Sequence, residues 1–275
     1  MLRKCVYLLA SVGLTGFFSL ALPSAALAQT YLGTNLTPFA VLGATPSVTC
    51  TGASTITGDI GVTPAASITG FPAPCTNASG SLHLNDQAAI DAKTNLVTAY
   101  GTLDALSCSA TIGPDLTGLS LVPGVYCVTA AATNLSGTLA LNAAGNPNAS
   151  WTFQMSSSLI TSPGSTVSST GNACSVQWLV RSDVTLDTTT TFIGNILALN
   201  SIVIKNGAKL TGRALARNGT VTMDTNNISF AACNAGAAPV PTLPTGFIIL
   251  LSLLLALVGA VAMRSRQWHG MNPSV

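Results

Sequence analysis

The sequence predicts a mainly β fold: a parallel β-helix, or solenoid, with one long α-helix packed alongside and a short transmembrane helix near the C-terminus. Three observations predict it. First, residues 185–227 are rich in threonine and self-similar. Gly194 and Gly212 each follow an apolar residue two places earlier, Phe192 and Leu210, and each precede a small apolar tail. The repeat is about 18 residues long, and a short fixed period in β-prone sequence describes coils that stack because none can bury its apolar face alone. Second, most of the remaining chain consists of short Thr-, Val- and Ala-rich runs broken by Gly and Pro, which read as strands and turns. Third, residues 83–106 place Ala89, Ile90, Ala92, Leu96, Val97, Tyr100 and Leu103 at helical spacing, with Asn85 or Asp86 as N-cap. That apolar stripe needs a partner, and the flank of a solenoid supplies one.

The two ends stand apart from this domain. Arg3 and Lys4 precede an apolar run at 6–22, and Ala26-Leu27-Ala28 precedes Gln29, so residues 1–28 read as a secretory signal and the domain at 29–233 as exported. Residues 234–245 form a Pro/Ala-rich linker. Residues 246–263 carry no charge and are followed by Arg264 and Arg266, the pattern of a short membrane span with a cytoplasmic basic tail at 264–275. Together with Val240-Pro241-Thr242-Leu243-Pro244, this tail resembles the sorting signals of Gram-negative bacteria that an exosortase-type enzyme processes. The resemblance implies a membrane and such an enzyme as partners.

Charge and cysteine content narrow the function. Charged residues make up 7% of the chain. Those of the exported part form no basic stripe, which argues against nucleic acid. The acids are all Asp and scattered, and His83 is the one histidine outside the tail. This composition disfavours an enzyme such as a polysaccharide-active β-helix, whose chemistry needs clustered carboxylates, and it implies neither cofactor nor metal. Cys50, Cys75, Cys108, Cys127, Cys174 and Cys233 remain after the signal. An even number in an oxidising compartment points to disulfides, with 15 connectivities open. Proximity favours Cys50–Cys75 and Cys108–Cys127, which leaves Cys174–Cys233.

Further copies of the repeat align with the first two on their glycines. GASTITGDIGV (52–62), AATNLSGTLAL (131–141), TTTTFIGNILA (188–198) and NGAKLTGRALA (206–216) share an apolar fifth position, Ile56, Leu135, Phe192 and Leu210. Side chains alternate along a strand, so the flanking positions face outward. They are Thr55, Asn134, Thr191 and Lys209 on one side, and Thr57, Ser136, Ile193 and Thr211 on the other. Stacked coils would set successive residues of a column about 4.7–4.9 Å apart and the two columns about 6.6 Å apart, a flat grid of hydroxyls and methyls. Such a surface suits a ligand that is itself flat and repetitive, whereas small ligands need concavity.

The segments FAVLGATPSVT (39–49), ITGDIGVTPAASITGFP (56–72), LVPGVYC (121–127), NPNASWTFQM (146–155), FIGNILAL (192–199) and GRALARNGTVTMDTN (212–226) resemble the ice-binding (antifreeze) protein family of cold-adapted microbes. The resemblance implies a right-handed solenoid of triangular section with discontinuous coil order, a monomer, and adsorption to ice with inhibition of growth and recrystallisation. A surface adhesin or structural solenoid without ice activity is the alternative. The family's Thr-Ala/Gly-x-Thr/Asn motif maps onto 188–191, 206–209, 131–134, 52–55 and 163–166. With the outward columns, it marks Thr55, Thr57, Asn134, Thr166, Thr188, Thr191, Asn206 and Thr211 as candidate ice-contacting residues. Lys209 stands where a short Thr or Asn is expected.

Overall fold

The structure is a computed structural model and describes residues 31–230 except Ala66. The secretory signal, the linker, the apolar segment, the basic tail and Cys233 lie outside the described residues. No described helix is long and apolar enough to cross a membrane.

The strands form two parallel sheets that make three faces. Each coil contributes a short strand to each face in turn. The first face runs through Ala110–Ile112, Gly124–Val128, Trp151–Met155, Val176–Val180, the second halves of Thr191–Ala198 and Lys209–Ala216, then Phe39–Gly43, Asp59–Val62 and Leu82–Leu84. The second face is a sheet of seven strands, Ala132–Leu135, Ser158–Thr161, Val184–Leu186, Ile202–Ile204, Val221–Asp224, Val48–Thr51 and Ile68–Thr69. The third face holds Ser120–Leu121, Thr138–Leu141, Thr166–Ser169, the first halves of Thr191–Ala198 and Lys209–Ala216, then Asn227–Ser229, Thr55–Thr57 and Thr76–Ser79.

Coil order is discontinuous. Val41 pairs with Ala214 and Thr49 with Thr222, so the N-terminal coils stack on the C-terminal ones. The chain then returns to the far end of the stack through the helix. The two eight-residue strands turn from the third face to the first at Gly194 and Gly212, both at positive φ. A Cβ on Gly212 would overlap the carbonyl oxygen of Gly194, so only glycine lets the two backbones approach at this corner.

The interior is apolar, with aromatic rings at its centre. Tyr126, Phe153 and Trp178 stack in turn with ring centroids 5.6 and 4.2 Å apart, and Phe192 meets Trp178 tilted, at 4.8 Å. The Trp178 indole N–H donates to Ile193 O at 2.8 Å, which satisfies the buried polar atom. Cys50–Cys75 and Cys108–Cys127 are bonded, each tying a terminal coil to its neighbour. Cys174 is disulfide-bonded as well; the pairing expected for it involves Cys233, outside the described residues.

The helix spans Gln87–Asp104, shorter at its start than the sequence pattern suggests. His83 and Leu84 belong to the strand Leu82–Leu84, and Asp86 is the N-cap, accepting from Ala89 N at 2.9 Å. Asn85 instead sits at positive φ before the cap. Ala89, Ala92, Leu96, Ala99, Tyr100 and Leu103 are buried, while Ile90 and Val97, expected in the same stripe, face outward. The buried side of the helix alternates small residues, Ala89, Ala92 and Ala99, with Leu96, Tyr100 and Leu103. Its partners are Leu42, Leu215, Leu197 and Leu179, the outward residues of successive strands of the first face.

A polar ladder continues that interface. Thr152, Gln177, Asn195 and Arg213 lie in register on four successive strands of the first face, and Gln154 stands in the adjoining column, in register with Leu179. Gln154 Nε2 donates to Leu103 O and Leu106 O at 2.7 and 2.8 Å, occupying carbonyls at the helix C-terminus. Asn195 Nδ2 donates to Gln177 Oε1, and Arg213 Nη1 to Asn195 Oδ1. Arg213 is fully buried, donates to Thr37 O at 2.8 Å and lies 4.2 Å over the Phe230 ring. Burial with no carboxylate beside it brings its pKa down to about 10. This one residue fastens the first and last described segments to the solenoid.

Candidate functional site

The helix occupies the first face, so the second and third faces are the open ones. On the second face each strand is two to four residues long and turns a residue outward between two inward ones, as Thr185 sits between buried Val184 and Leu186. Register aligns these into one column: Asn134, Ile160, Thr185, Val203, Thr222, Thr49 and Thr69. Seven rungs carry hydroxyl, methyl or amide groups and no charge. Ile160 is 42% exposed, a large apolar residue that the described residues leave at the surface.

The third face carries two outward columns. The first reads Thr138, Thr166, Thr191, Lys209, Asn227, Thr55 and Thr76, and the second Ala140, Ser168, Ile193, Thr211, Ser229 and Thr57. Lys209 is exposed in the middle of the first column, with no ion pair to a described residue.

Seven of the eight candidate residues fall near one another. Thr55, Thr166 and Thr191 share the first column of the third face, and Thr57 and Thr211 the second. Thr188 lies on the edge between the second and third faces, in the turn before Thr191, and Asn206 is its counterpart one coil on. Asn134 is the exception. Thr138, not Asn134, pairs with Thr166, which in turn pairs with Thr191, so the copy at 131–141 is displaced by four residues from the glycine alignment. Asn134 therefore stands on the second face, beside Ile160. Leu135 and Leu139 are both fully buried, and a slip by an even number of residues preserves the in–out alternation, so the pattern alone could not choose between them. A coil at 224–230 was also missed. Its Asn227-Ile228-Ser229 pairs with Lys209-Leu210-Thr211, a match visible in the apolar Ile228 between two polar residues.

The edge between the second and third faces is held by buried small polar side chains. Thr190 Oγ1 lies 2.8 Å from Thr161 Oγ1, and Asn226 Nδ2 donates to Lys205 O and Ala208 O. Asp187 accepts from Thr188 N at 2.7 Å and pairs with Lys205 Nζ at 3.1 Å. These bonds hold its carboxylate below the usual range, the backbone bond from Thr188 first and then the lysine.

Concavity lies elsewhere. A depression of about 400 Å³ on the helix flank is lined by Phe39, Asp59, His83 and Asp91 among others. His83 Nδ1 is bonded to Asp86 Oδ2 at 2.8 Å and its Nε2 lies 3.7 Å from Asp59, so this histidine braces the start of the helix. Among the described residues no three His, Cys, Asp or Glu side chains converge as a metal site.

Residues 42–229 match the family described as Ice-binding-like. The chain belongs to that family. It is 40% identical over 270 residues to the ice-binding protein of Nostoc sp. (strain HG1), covering 96% of this chain and 97% of that one. Two crystal structures of family members share the fold. The ice-binding protein of the Antarctic ascomycete Antarctomyces psychrotrophicus matches with a TM-score of 0.68 at 34% identity, over 72% of this chain and 96% of its own. An ice-binding protein from an Antarctic biological consortium matches with a TM-score of 0.67 at 41% identity, over 72% and 89%.

Proposed function

We propose that this chain adsorbs to ice crystals through its second face and thereby restrains ice growth and recrystallisation. Family membership supports the activity. The observation that carries the choice of face is the seven-rung column from Asn134 to Thr69, regular and without charge. Parallel strands space its side chains by about 4.7–4.9 Å per rung. A rigid array of that kind orders water against short methyls and hydroxyls at many points at once. Each contact is weak, and the binding comes from their number and from the absence of charge in the column itself; Asp187 and Lys205, two residues beyond Thr185 and Val203, are paired with each other at 3.1 Å.

The third face is less suited. The ammonium of Lys209 stands in the middle of its longer column, and seating that face on a crystal would strip a strongly hydrated cation. Thr188 and Asn206, on the shared edge, border the second face and extend it. Thr55, Thr57, Thr166, Thr191 and Thr211 flank it.

Replacing Thr222, the fifth of the seven rungs, by Tyr tests the assignment. The ring would stand off the plane and hold the neighbouring rungs away from the crystal. The expected result is loss of recrystallisation inhibition in annealed polycrystalline ice, with an unchanged circular dichroism spectrum. Full retention would rule out the second face. A wild-type protein that leaves grain coarsening unaltered would rule out ice binding itself. We also read the domain as exported and held at the cell surface by its C-terminal segment; the intact mass of the surface protein distinguishes an anchor from a processed signal.

A further inference from the structure

The edge between the second and third faces turns through one residue per coil in the left-handed region. These residues are Gly164, Thr189, Gly207, Thr225 and Gly52, with φ of 74°, 57°, 74°, 53° and 67°. They stack in that order: Gly164 N donates to Thr188 O, Thr189 N to Asn206 O, Gly207 N to Thr225 O, and Thr225 N to Thr51 O. Three of the five are glycine, the residue that this conformation accommodates without strain. The other two are β-branched, the class for which a positive φ is an outlier.

The turn alone does not call for threonine, because its neighbours make the same turn with glycine. What the threonines add is bulk at regular intervals. Both are exposed, on alternate rungs, so they repeat at about twice the strand spacing, roughly 9.4–9.8 Å. Each lies against the glycine of the rung that follows. A Cβ on Gly207 would meet Thr189 Cγ2 at 3.4 Å, and one on Gly52 would overlap Thr225 Oγ1. The hydroxyls are engaged locally, Thr189 Oγ1 with Thr188 O at 2.7 Å and Thr225 Oγ1 with Asp224 Oδ1 at 2.9 Å. Their side chains are thus short uncharged fillers of the notches that glycine leaves.

We propose that Thr189 and Thr225 carry the ice-contacting surface around this edge by keeping it flush, and that this contact is why strained residues stand there. The proposal rests on the ice-binding reading of the second face. Charge at this edge is engaged: the carboxylate of Asp187 is turned onto Thr188 N and Lys205 Nζ, and that of Asp224 accepts from Thr225 Oγ1.

The test is the double variant Thr189→Gly/Thr225→Gly in the full chain, beside wild type and Thr222→Tyr. Glycine relieves the backbone, so the thermal midpoint should be unchanged or higher. Thermal hysteresis should fall about twofold, since part of the contacting area is removed. Hysteresis at the wild-type level overturns the proposal. So does a midpoint lowered by more than about 3 °C, which would make the threonines structural. If wild type is active and Thr222→Tyr inactive while the glycine pair keeps full activity, only the edge proposal fails. If Thr222→Tyr is also fully active, the second-face reading fails with it.

Discussion

The first and second faces are built from the same coils by the same strand pairing, yet one receives a helix and the other stays open. The difference is in the outward column. On the first face it reads Leu179, Leu197, Leu215 and Leu42, all fully buried beneath the helix. On the second, in the same coils, it reads Thr185, Val203, Thr222 and Thr49. Leucines project far enough to interlock with Leu96 and Leu103 of the helix and to lose most of their contact with water, worth about 1.5–3 kcal/mol each. Threonine and valine are short and stiff at χ1. They give a helix too little to grip, but they hold a plane. The backbone repeats, and the outward column decides the partner.

The comparison can be broken at one residue. Leu197→Thr gives the first face the chemistry of the second. It empties a packed site and buries a hydroxyl beside Ala92 and Leu96, at a cost of about 3 kcal/mol. For a domain of this size that is a drop of roughly 10 °C in thermal midpoint, measured by circular dichroism. Ice activity near freezing, where the variant is still folded, should match wild type. A loss of activity in folded protein would mean that the helix face takes part in binding.

How much of this was legible in the sequence follows from the same geometry. The period at Gly194 and Gly212 and the buried stripe of the helix are local signals, and both correspond to what is seen. The second-face column was not found. Its rungs are neighbours in space that are far apart in sequence, as Thr49 and Thr222 are. Each supplies one exposed residue in a strand too short to show alternation. The aligned window, centred on the glycines at the third-to-first corner, looked past it. Lys209 was legible, because a lone charge in a threonine column stands out in one dimension as well as in three. Nothing in the sequence around Arg213 marks it as buried; its burial beneath the N-terminal segment depends on the discontinuous stacking that brings Thr37 and Phe230 to it.

A smaller effect separates the two open faces. Thr191→Tyr places a ring in the third-face column, beside Lys209. If the second face binds ice, thermal hysteresis should fall only modestly, well short of the loss expected for Thr222→Tyr. Lys209→Thr removes the charge and should leave hysteresis equal or slightly higher. Abolition by Thr191→Tyr, with Thr222→Tyr active, would move the site to the third face and restore Thr55, Thr166 and Thr191 as its centre.

The smallest effect concerns the rim of the helix face. Burial beside the solenoid, and secondarily the Arg217 guanidinium, lower the pKa of Lys93 from 10.5 to about 8. Below pH 8 the lysine is protonated whether the chain is folded or unfolded, and its unfavourable contribution is constant. Between about 8 and 10.5 the unfolded chain still holds the proton that the folded one has released. Stability therefore rises with pH across that window. Lys93→Met keeps the aliphatic stem and removes the titration, so the midpoint at pH 7 should rise slightly and the gain between pH 8 and 10 should shrink relative to wild type. Tyr100, whose pKa burial raises to about 12, is common to both proteins and cancels in the difference. A wild-type slope that Lys93→Met leaves unchanged would show that the cation escapes to water, and that the helix face is wetter at its rim than its leucine column implies.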